Sequence, residues 1–163
     1  MITYEEVRAW FDYDSVSGTL VRKPTAPFRL RVSQLPAGYI TTNARGKTLY
    51  VHRLVWLWHH GVLPDVVDHI DRDKGNNRIE NLRAATHTEN KYNTPKKSHN
   101  TTGAKGVVFH KNCPLKPYQA KIVRNGRTYS LGYYPTVELA AATYARGAAQ
   151  IAGEFANPDF QPT

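Results

Sequence analysis

The chain has 163 residues, room for one medium domain or two small ones, and its 40% hydrophobic content with ten Tyr, five Phe and three Trp argues for small folded cores rather than disorder. A single cysteine, Cys113, excludes an internal disulfide and suits a reducing cytosol, and no apolar run reaches membrane-span length; without a basic-then-apolar leader pattern, the expectation is a cytoplasmic protein with no membrane partner. The net charge of +9 is uneven, because residues 1–90 carry twelve Lys and Arg against ten Asp and Glu while residues 91–163 carry ten against three; such a basic surface attracts a phosphate backbone through counterion release, without sequence information.

Residues 3–11 predict a short helix, with Thr3 at its N-cap, Glu6 at N3, and Val7, Trp10 and Phe11 on its apolar side. Asp14 to Gly18 is a turn and Thr19-Leu20-Val21 a strand. Pro24 to Pro36 reads as irregular, with Arg22, Lys23, Arg29 and Arg31 either available to phosphates or simply solvated. Gly38–Thr42 and Lys47–Val51 form a hairpin around Asn43-Ala44-Arg45-Gly46. His52 to His60 is a helix ended by Gly61 and Pro64, its Val51, Leu54, Val55 and Trp58 recurring at core spacing. His52 either packs or supports a neighbouring site.

Val66 and Val67 are β-branched and make a short strand that delivers Asp68 and His69. Asp71-Arg72-Asp73-Lys74-Gly75-Asn76-Asn77 is a dense turn former, and Ile79, Leu82 and Ala84 supply a second apolar stretch. Thr86 and Glu89 have capping-box spacing, so a helix starts near Thr86 and carries Asn90 on its second turn. Asp68 and Asn90 offer hard oxygen ligands to a cation, His69 a base, and Asn81 a clamp: the parts a phosphodiester-cleaving site needs. Asp71, Asp73 and Gly75 fall short of a calcium loop, which needs Gly one place later and Glu where Leu82 stands. One cysteine argues against a zinc finger built with His52, His59 and His60.

Val51-His52-Arg53-Leu54-Val55, Val67-Asp68-His69-Ile70-Asp71, Asn76 to Arg83 and Thr88-Glu89-Asn90 together resemble the HNH (His-Me finger, ββα-metal) endonuclease family, over about forty-five residues and closest to its phage and homing branch. The resemblance implies His69 as general base, Asp68 and Asn90 as ligands of one divalent ion, Mg²⁺ first and Mn²⁺ second, and Asn81 as the residue that bonds across the loop and fixes the His69 backbone and ring. Arg53, Arg72, Arg78 and Arg83 are candidate DNA contacts. Many relatives carry a further His three places after the helix Asn; Asn93 stands there, which weakens any expectation of an extra ligand or phosphate contact.

Pro95 to Gly103 has the makeup of a linker whose Lys96 and Lys97 could track a backbone groove. Beyond it, Gly106–His110, Tyr118–Arg124 and Arg127–Gly132 read as three strands, the last two joined by an Asn125-Gly126 hairpin turn. Pro135 and Thr136 open a helix to about Gly153, apolar along Val137, Ala140, Ala141, Tyr144, Ala148 and Ile151. Gly106-Val107, Tyr118 to Ile122, Leu131 to Tyr134, Glu138 to Tyr144 and Gly153 to Asn157 resemble the integrase-type DNA-binding domain of the ethylene-response-factor (APETALA) family. That family lays its sheet in the major groove with the helix behind. Alternation turns Ala120, Ile122, Tyr129 and Leu131 to the helix and Lys105, His110, Gln119, Lys121, Thr128 and Ser130 to DNA; Lys111, Arg124 and Arg127 are further contacts. Val108, Val123, Thr128 and Ser130 stand where relatives often carry Arg or Trp, so recognition by backbone and shape is expected.

The fold class expected is α+β: a ββα-metal HNH module with supporting hairpin and helix in residues 1–95, a basic linker at 96–104, and a three-stranded antiparallel sheet packed on one helix in 105–163. The function expected is metal-dependent nicking of duplex DNA by a monomer or weak dimer, leaving 3′-OH and 5′-phosphate. The alternatives are a non-catalytic DNA-binding regulator on the same scaffold and an RNA nuclease.

Overall fold

The structure is a computed structural model that describes residues 2–29, 31–44 and 46–157; Leu30 in the segment expected to be irregular, Arg45 in the expected hairpin turn, and residues 158–163 of the expected C-terminal module lie outside them. It is an α+β protein of several small antiparallel sheets and four α-helices among the described residues. The chain divides into two compact units, Met1–Thr86 and His87–Thr163.

In the first unit, α1 (Tyr4–Trp10) carries the expected capping box: Glu6 N–H donates to Thr3 Oγ1 and Thr3 N–H to Glu6 Oε2. The helix stops one residue earlier than its apolar pattern suggests. Phe11 is extended (φ −132°, ψ 145°) and opens β1 (Phe11–Asp14), which pairs with β2 (Thr19–Arg22) across the predicted turn. The segment expected to be irregular contains β3 (Val32–Gln34), the edge of a sheet ordered β3-β4-β5 with β4 (Ile40–Ala44) and β5 (Lys47–Tyr50). All three β3 residues are exposed, so no hydrophobic alternation marks it; backbone pairing with β4 alone makes it a strand.

Helix α2 (Val51–His60) ends at Gly61, whose φ of 76° is the left-handed C-cap that glycine adopts without a Cβ penalty. It packs into a core of Val7, Trp10, Phe11, Leu20, Val51, Leu54, Val55, Leu57, Val67 and Leu82, with Phe11 and Val55 fully buried. Trp58 Nε1 donates to the Phe11 carbonyl (3.1 Å) and Ile79 N–H to the Tyr13 hydroxyl (2.9 Å). Arg22, expected to be open to phosphates, donates to the carbonyls of Phe28 and Ala26, and Lys23 to that of Arg8 (2.9 Å). Arg22 thus holds loop backbone in place, while Lys23 satisfies a carbonyl in the last turn of α1.

In the second unit, α3 (His87–Asn93) is followed by β8 (Val107–Phe109), β9 (Tyr118–Arg124), β10 (Arg127–Tyr134) and α4 (Val137–Ala152). The sheet order is β10-β9-β8, and Asn125 and Gly126 turn the hairpin with φ of 52° and 75°, as a type I′ turn requires. Thr136 caps α4, and Ala120, Ile122, Ala140, Ala141, Tyr144 and Ala148 form the buried contact between sheet and helix. Gly106 lies so close to the Tyr144 ring that a Cβ there would stand 2.0 Å from it. Strand β10 runs to Tyr134 through a register shift between Ser130 and Gly132, two residues beyond the expected end. Tyr129 shares the Ile122 side by register yet stays 48% exposed, short of the burial expected of it.

The sequence reading sets the domain boundary after residue 95, whereas the structure groups α3 with the second unit. The reason is local bonding: Tyr92 hydroxyl donates to the Val123 carbonyl (2.7 Å), and Asn157 Nδ2 to Asn93 Oδ1 (3.1 Å). Residues 96–104 are bonded within that unit, Lys96 Nζ to the Gly103 carbonyl (2.8 Å) and Asn100 Nδ2 to that of Ala104 (2.9 Å). No helix among the described residues is long and apolar enough to cross a membrane.

Candidate active site

Asp68 and His69 end β6 (Val66–His69), which pairs antiparallel with β7 (Leu82–Ala85) so that Asp68 faces Arg83 and His69 faces Leu82. Directly opposite residues on antiparallel strands share a face. Arg83 therefore meets Asp68, its Nε and Nη2 both 2.9 Å from Oδ2, with the two side chains 11% and 7% exposed. Arg83 was expected to contact DNA; its guanidinium instead neutralises a buried carboxylate. A charge so placed is costly to leave alone, and the pairing explains why Asp68 stays in the fold at 6% exposure.

The loop between the strands is held by Asn81. Its Oδ1 accepts from Asp71 N–H (3.0 Å), its Nδ2 donates to Asp71 Oδ1 (2.9 Å) and to the Asn76 carbonyl (2.8 Å), and its own carbonyl accepts from Ile70 N–H (2.9 Å). Asn81 thus does bond across the loop, just after His69, but its amide does not reach the imidazole. Asn77 does, with Oδ1 3.1 Å from His69 Nε2. Burial opposes the charge on Asp71, but hydrogen bonds from Asn76, Asn81 and the Asp73 backbone outweigh it and hold that carboxyl below its ordinary range. Arg78, another expected DNA contact, donates from Nε and Nη2 to the Val16 carbonyl (2.9 and 2.7 Å) and so ties this loop to the β1–β2 turn.

An aromatic box closes around His69. The His52 ring lies 4.9 Å from it by centroid and Tyr39 6.1 Å, with Tyr50 5.6 Å from His52. His52 is buried, its Nδ1 has no hydrogen-bond partner, and burial, with the neighbouring His69 and Arg53, pushes its pKa down to about 3. Burial also raises the Tyr39 hydroxyl, helped by Tyr50 and Asp68. A neutral His52 packs against His69 without adding a charge beside it. Of the two roles open to His52 from sequence, the structure shows packing, and packing on the candidate base.

Asn90 is half-buried on α3 in the second unit, its carbonyl accepting from Thr94 N–H (3.2 Å). Arg53 is half-buried beside Asp65, donating to its carbonyl (3.4 Å), and Arg72 is exposed with φ of 68°. A hard, buried carboxylate such as Asp68 is the donor type that a small divalent cation selects, and such ions need only one or two protein oxygens beside water and phosphate.

The second unit carries a polar sheet face. His110 Nε2 lies 2.9 Å from Gln119 Oε1, and Gln119 Nε2 donates to Ser130 Oγ (2.9 Å), a row that runs from the residue just after β8 across β9 to β10. Lys121 lies opposite Ser130, Thr128 opposite Val123, and Arg124 opposite Arg127 at the exposed turn, with Lys111 exposed after β8. Lys105, expected on this face, has its ammonium on the carbonyls of Tyr92 (2.6 Å), Thr94 and Asn157, where it anchors the chain after α3. A cavity of about 720 Å³ in the same unit is lined by Lys91, Lys96, Lys97, His99, Lys105 and Lys121, and by no Asp or Glu. Sequence reasoning missed Asn77 and this clustering of lysines: the only signal for Asn77 was its place in a run of turn formers.

The pattern of the HNH endonuclease family matches residues 49–92, which form an HNH endonuclease family domain. An uncharacterized HNH endonuclease of Acanthamoeba polyphaga mimivirus is 36% identical over 126 residues, 76% of this chain and 63% of that protein, so the chain spans less than two thirds of this relative. Protein 3.8 of Escherichia phage T7 is 29% identical over 107 residues, 64% of this chain and 86% of that protein. No solved structure matches.

Proposed function

We propose that this chain, with an HNH endonuclease domain at residues 49–92, is a metal-dependent endonuclease that hydrolyses one phosphodiester of duplex DNA to leave 3′-OH and 5′-phosphate. The observation that carries the reading is the pairing of a buried carboxylate and a buried imidazole, Asp68 and His69, at the end of one strand beside a loop stapled by Asn81. Asp68 and Asn90 would hold one divalent ion, Mg²⁺ or Mn²⁺. Bound there, the ion supplies positive charge to the scissile phosphate and the leaving 3′ oxygen. His69 takes the proton from the attacking water, and burial keeps bulk water away from the ring. Asn81 and the loop it closes keep His69 at the strand end. Arg83, with Nε and Nη2 both on Asp68 Oδ2, holds that buried carboxylate in one orientation.

The second unit serves as an integrase-like DNA-binding domain. Its polar row of His110, Gln119 and Ser130 with Lys121 and Thr128 meets the groove, and Arg124, Arg127, Lys111, Lys96 and Lys97 meet phosphates. Without an Arg on the sheet face to read guanine, its hold is on backbone and shape, and it raises the local concentration of DNA at the catalytic unit. One site per chain makes the product a nick. We assign the activity to phage or homing DNA transactions, a reading supported by relatives from a mimivirus and a phage.

The test is a supercoiled-plasmid assay. Wild-type protein with Mg²⁺ is expected to give open circles, EDTA to abolish them, and His69→Ala to lose at least about 10²-fold in rate while still shifting duplex DNA. Cleavage by His69→Ala at the wild-type rate would overturn the assignment; preference for RNA in a competition assay would move the substrate class.

A further inference from the structure

His69 is 4% exposed, and its Nε2 lies 3.1 Å from Oδ1 of Asn77, itself 3% exposed. An amide oxygen has no hydrogen to give, so this contact requires the proton on Nε2. The amide is not free to turn over. Its Nδ2 is 3.3 Å from the Gly75 carbonyl, and exchanging its ends would set two oxygens against each other there. Gly75 is in turn fixed, its N–H donating to Asp73 Oδ1 (2.9 Å), while Asp73 N–H donates to Asp71 Oδ1 (2.8 Å), the atom that Asn81 Nδ2 also binds. A continuous line of bonds therefore runs from Asn81 through Asp71, Asp73 and Gly75 to Asn77, and only its last member touches the imidazole. The His52 ring, 4.9 Å away by centroid and buried, restricts the imidazole's tilt.

We infer that Asn77 is the positioning residue for His69: it holds the imidazole as the Nε2–H tautomer and so puts the basic lone pair on Nδ1, while Asn81 acts on the ring only through the loop. As a statement about catalysis, this rests on the reading of His69 as the general base. The arrangement separates two functions that one asparagine was expected to perform. Asn81 sets where the strand end lies, and Asn77 sets which ring nitrogen is the base.

The experiment uses the full chain with ¹⁵N-labelled histidine, His69 being assigned by difference from His69→Gln. Wild-type protein is expected to show a slowly exchanging Nε2–H proton on His69 and an unprotonated Nδ1. Asn77→Ala is expected to lose that proton signal to solvent exchange and to lower kcat for plasmid nicking by about 10- to 100-fold with KM changed less than about twofold. Asn77→Asp keeps an acceptor oxygen beside Nε2 and gives up the longer 3.3 Å bond to the Gly75 carbonyl, so it is expected to retain the proton signal and to cleave faster than Asn77→Ala, though more slowly than wild type. Should Asn77→Ala not fold, loss of the signal in folded Asn77→Asp overturns the inference. So does an Asn77→Ala protein with signal and kcat unchanged, and that outcome leaves the nuclease reading standing. Wild-type protein that shows the signal but never cleaves DNA sinks the nuclease reading and leaves the hold of Asn77 on the ring in place.

Discussion

The two units handle polar side chains in opposite ways. In the first, Thr41, Thr42, His52, Asp68, His69, Asn77 and Asn81 are all buried, around a core with large apolar members. In the second, Asn93 is the buried polar residue among the described ones, the sheet–helix contact is mostly alanine, and the polar side chains stand on the open sheet face. Burying polar groups costs free energy unless every one finds a partner. The first unit accepts that cost in order to fix one carboxylate and one imidazole. The second avoids it and keeps its polar groups where a ligand can reach them. Chemistry needs desolvated groups held still, whereas adhesion to a phosphate backbone needs exposed ones.

Breaking the buried pair should show the largest effect. Arg83→Met leaves Asp68 buried without its guanidinium and is expected to destabilise the first unit by about 3–5 kcal/mol, while the double variant with Asp68→Asn recovers most of the loss. All three tryptophans, Trp10, Trp56 and Trp58, lie in this unit, so their fluorescence during urea unfolding reports it selectively. A loss below about 1 kcal/mol would mean that the pair is solvated and the contrast between units overstated.

A smaller effect comes from His52. Its pKa falls from 6.5 unfolded to about 3 folded, so the unfolded chain takes up the proton first as pH drops. The stability this residue permits is whole above pH 6.5 and is lost progressively as pH falls toward 3, by up to about 1.4 kcal/mol per pH unit. His52→Phe keeps a ring in the box and is expected to flatten that slope in the same tryptophan assay; an unchanged slope would show that His52 is protonated in the folded protein.

The smallest stability effect belongs to the open face. Gln119→Ala and Lys121→Ala are expected to shift thermal unfolding, followed by circular dichroism, by no more than about 0.5 kcal/mol. The Lys121 variant should lower the salt dependence of duplex binding by about 0.9 in log–log slope, the share of one phosphate contact. A large stability loss would make this face structural and erase its difference from the buried cluster.

Much of this was legible because it is local. The Thr3–Glu6 capping box, the Gly61 stop, the Asn125-Gly126 turn and the Thr136 cap each act within a few residues, and the alternation that buries Ala120 and Ile122 is a property of one strand. So did the strand end that presents Asp68 and His69, since β-branched residues and a turn signal frame it. The Asn81 staple was also foreseeable, as a polar residue closing a loop between two strands.

What the chain's order of residues determined by itself, then, is which segments form elements, where they stop, and which few side chains are spaced for chemistry. Tertiary structure decided the partners. Strand β3 exists because β4 offers it a backbone edge; Arg83 and Lys105 look like phosphate contacts until a carboxylate and three carbonyls claim them; Asn77 reads as a turn residue until the loop brings it to His69. The physical reason is range. Caps and turns are satisfied by neighbours in sequence, but a buried charge or ring nitrogen takes whichever partner folding delivers, and that partner leaves no periodic trace in its own segment.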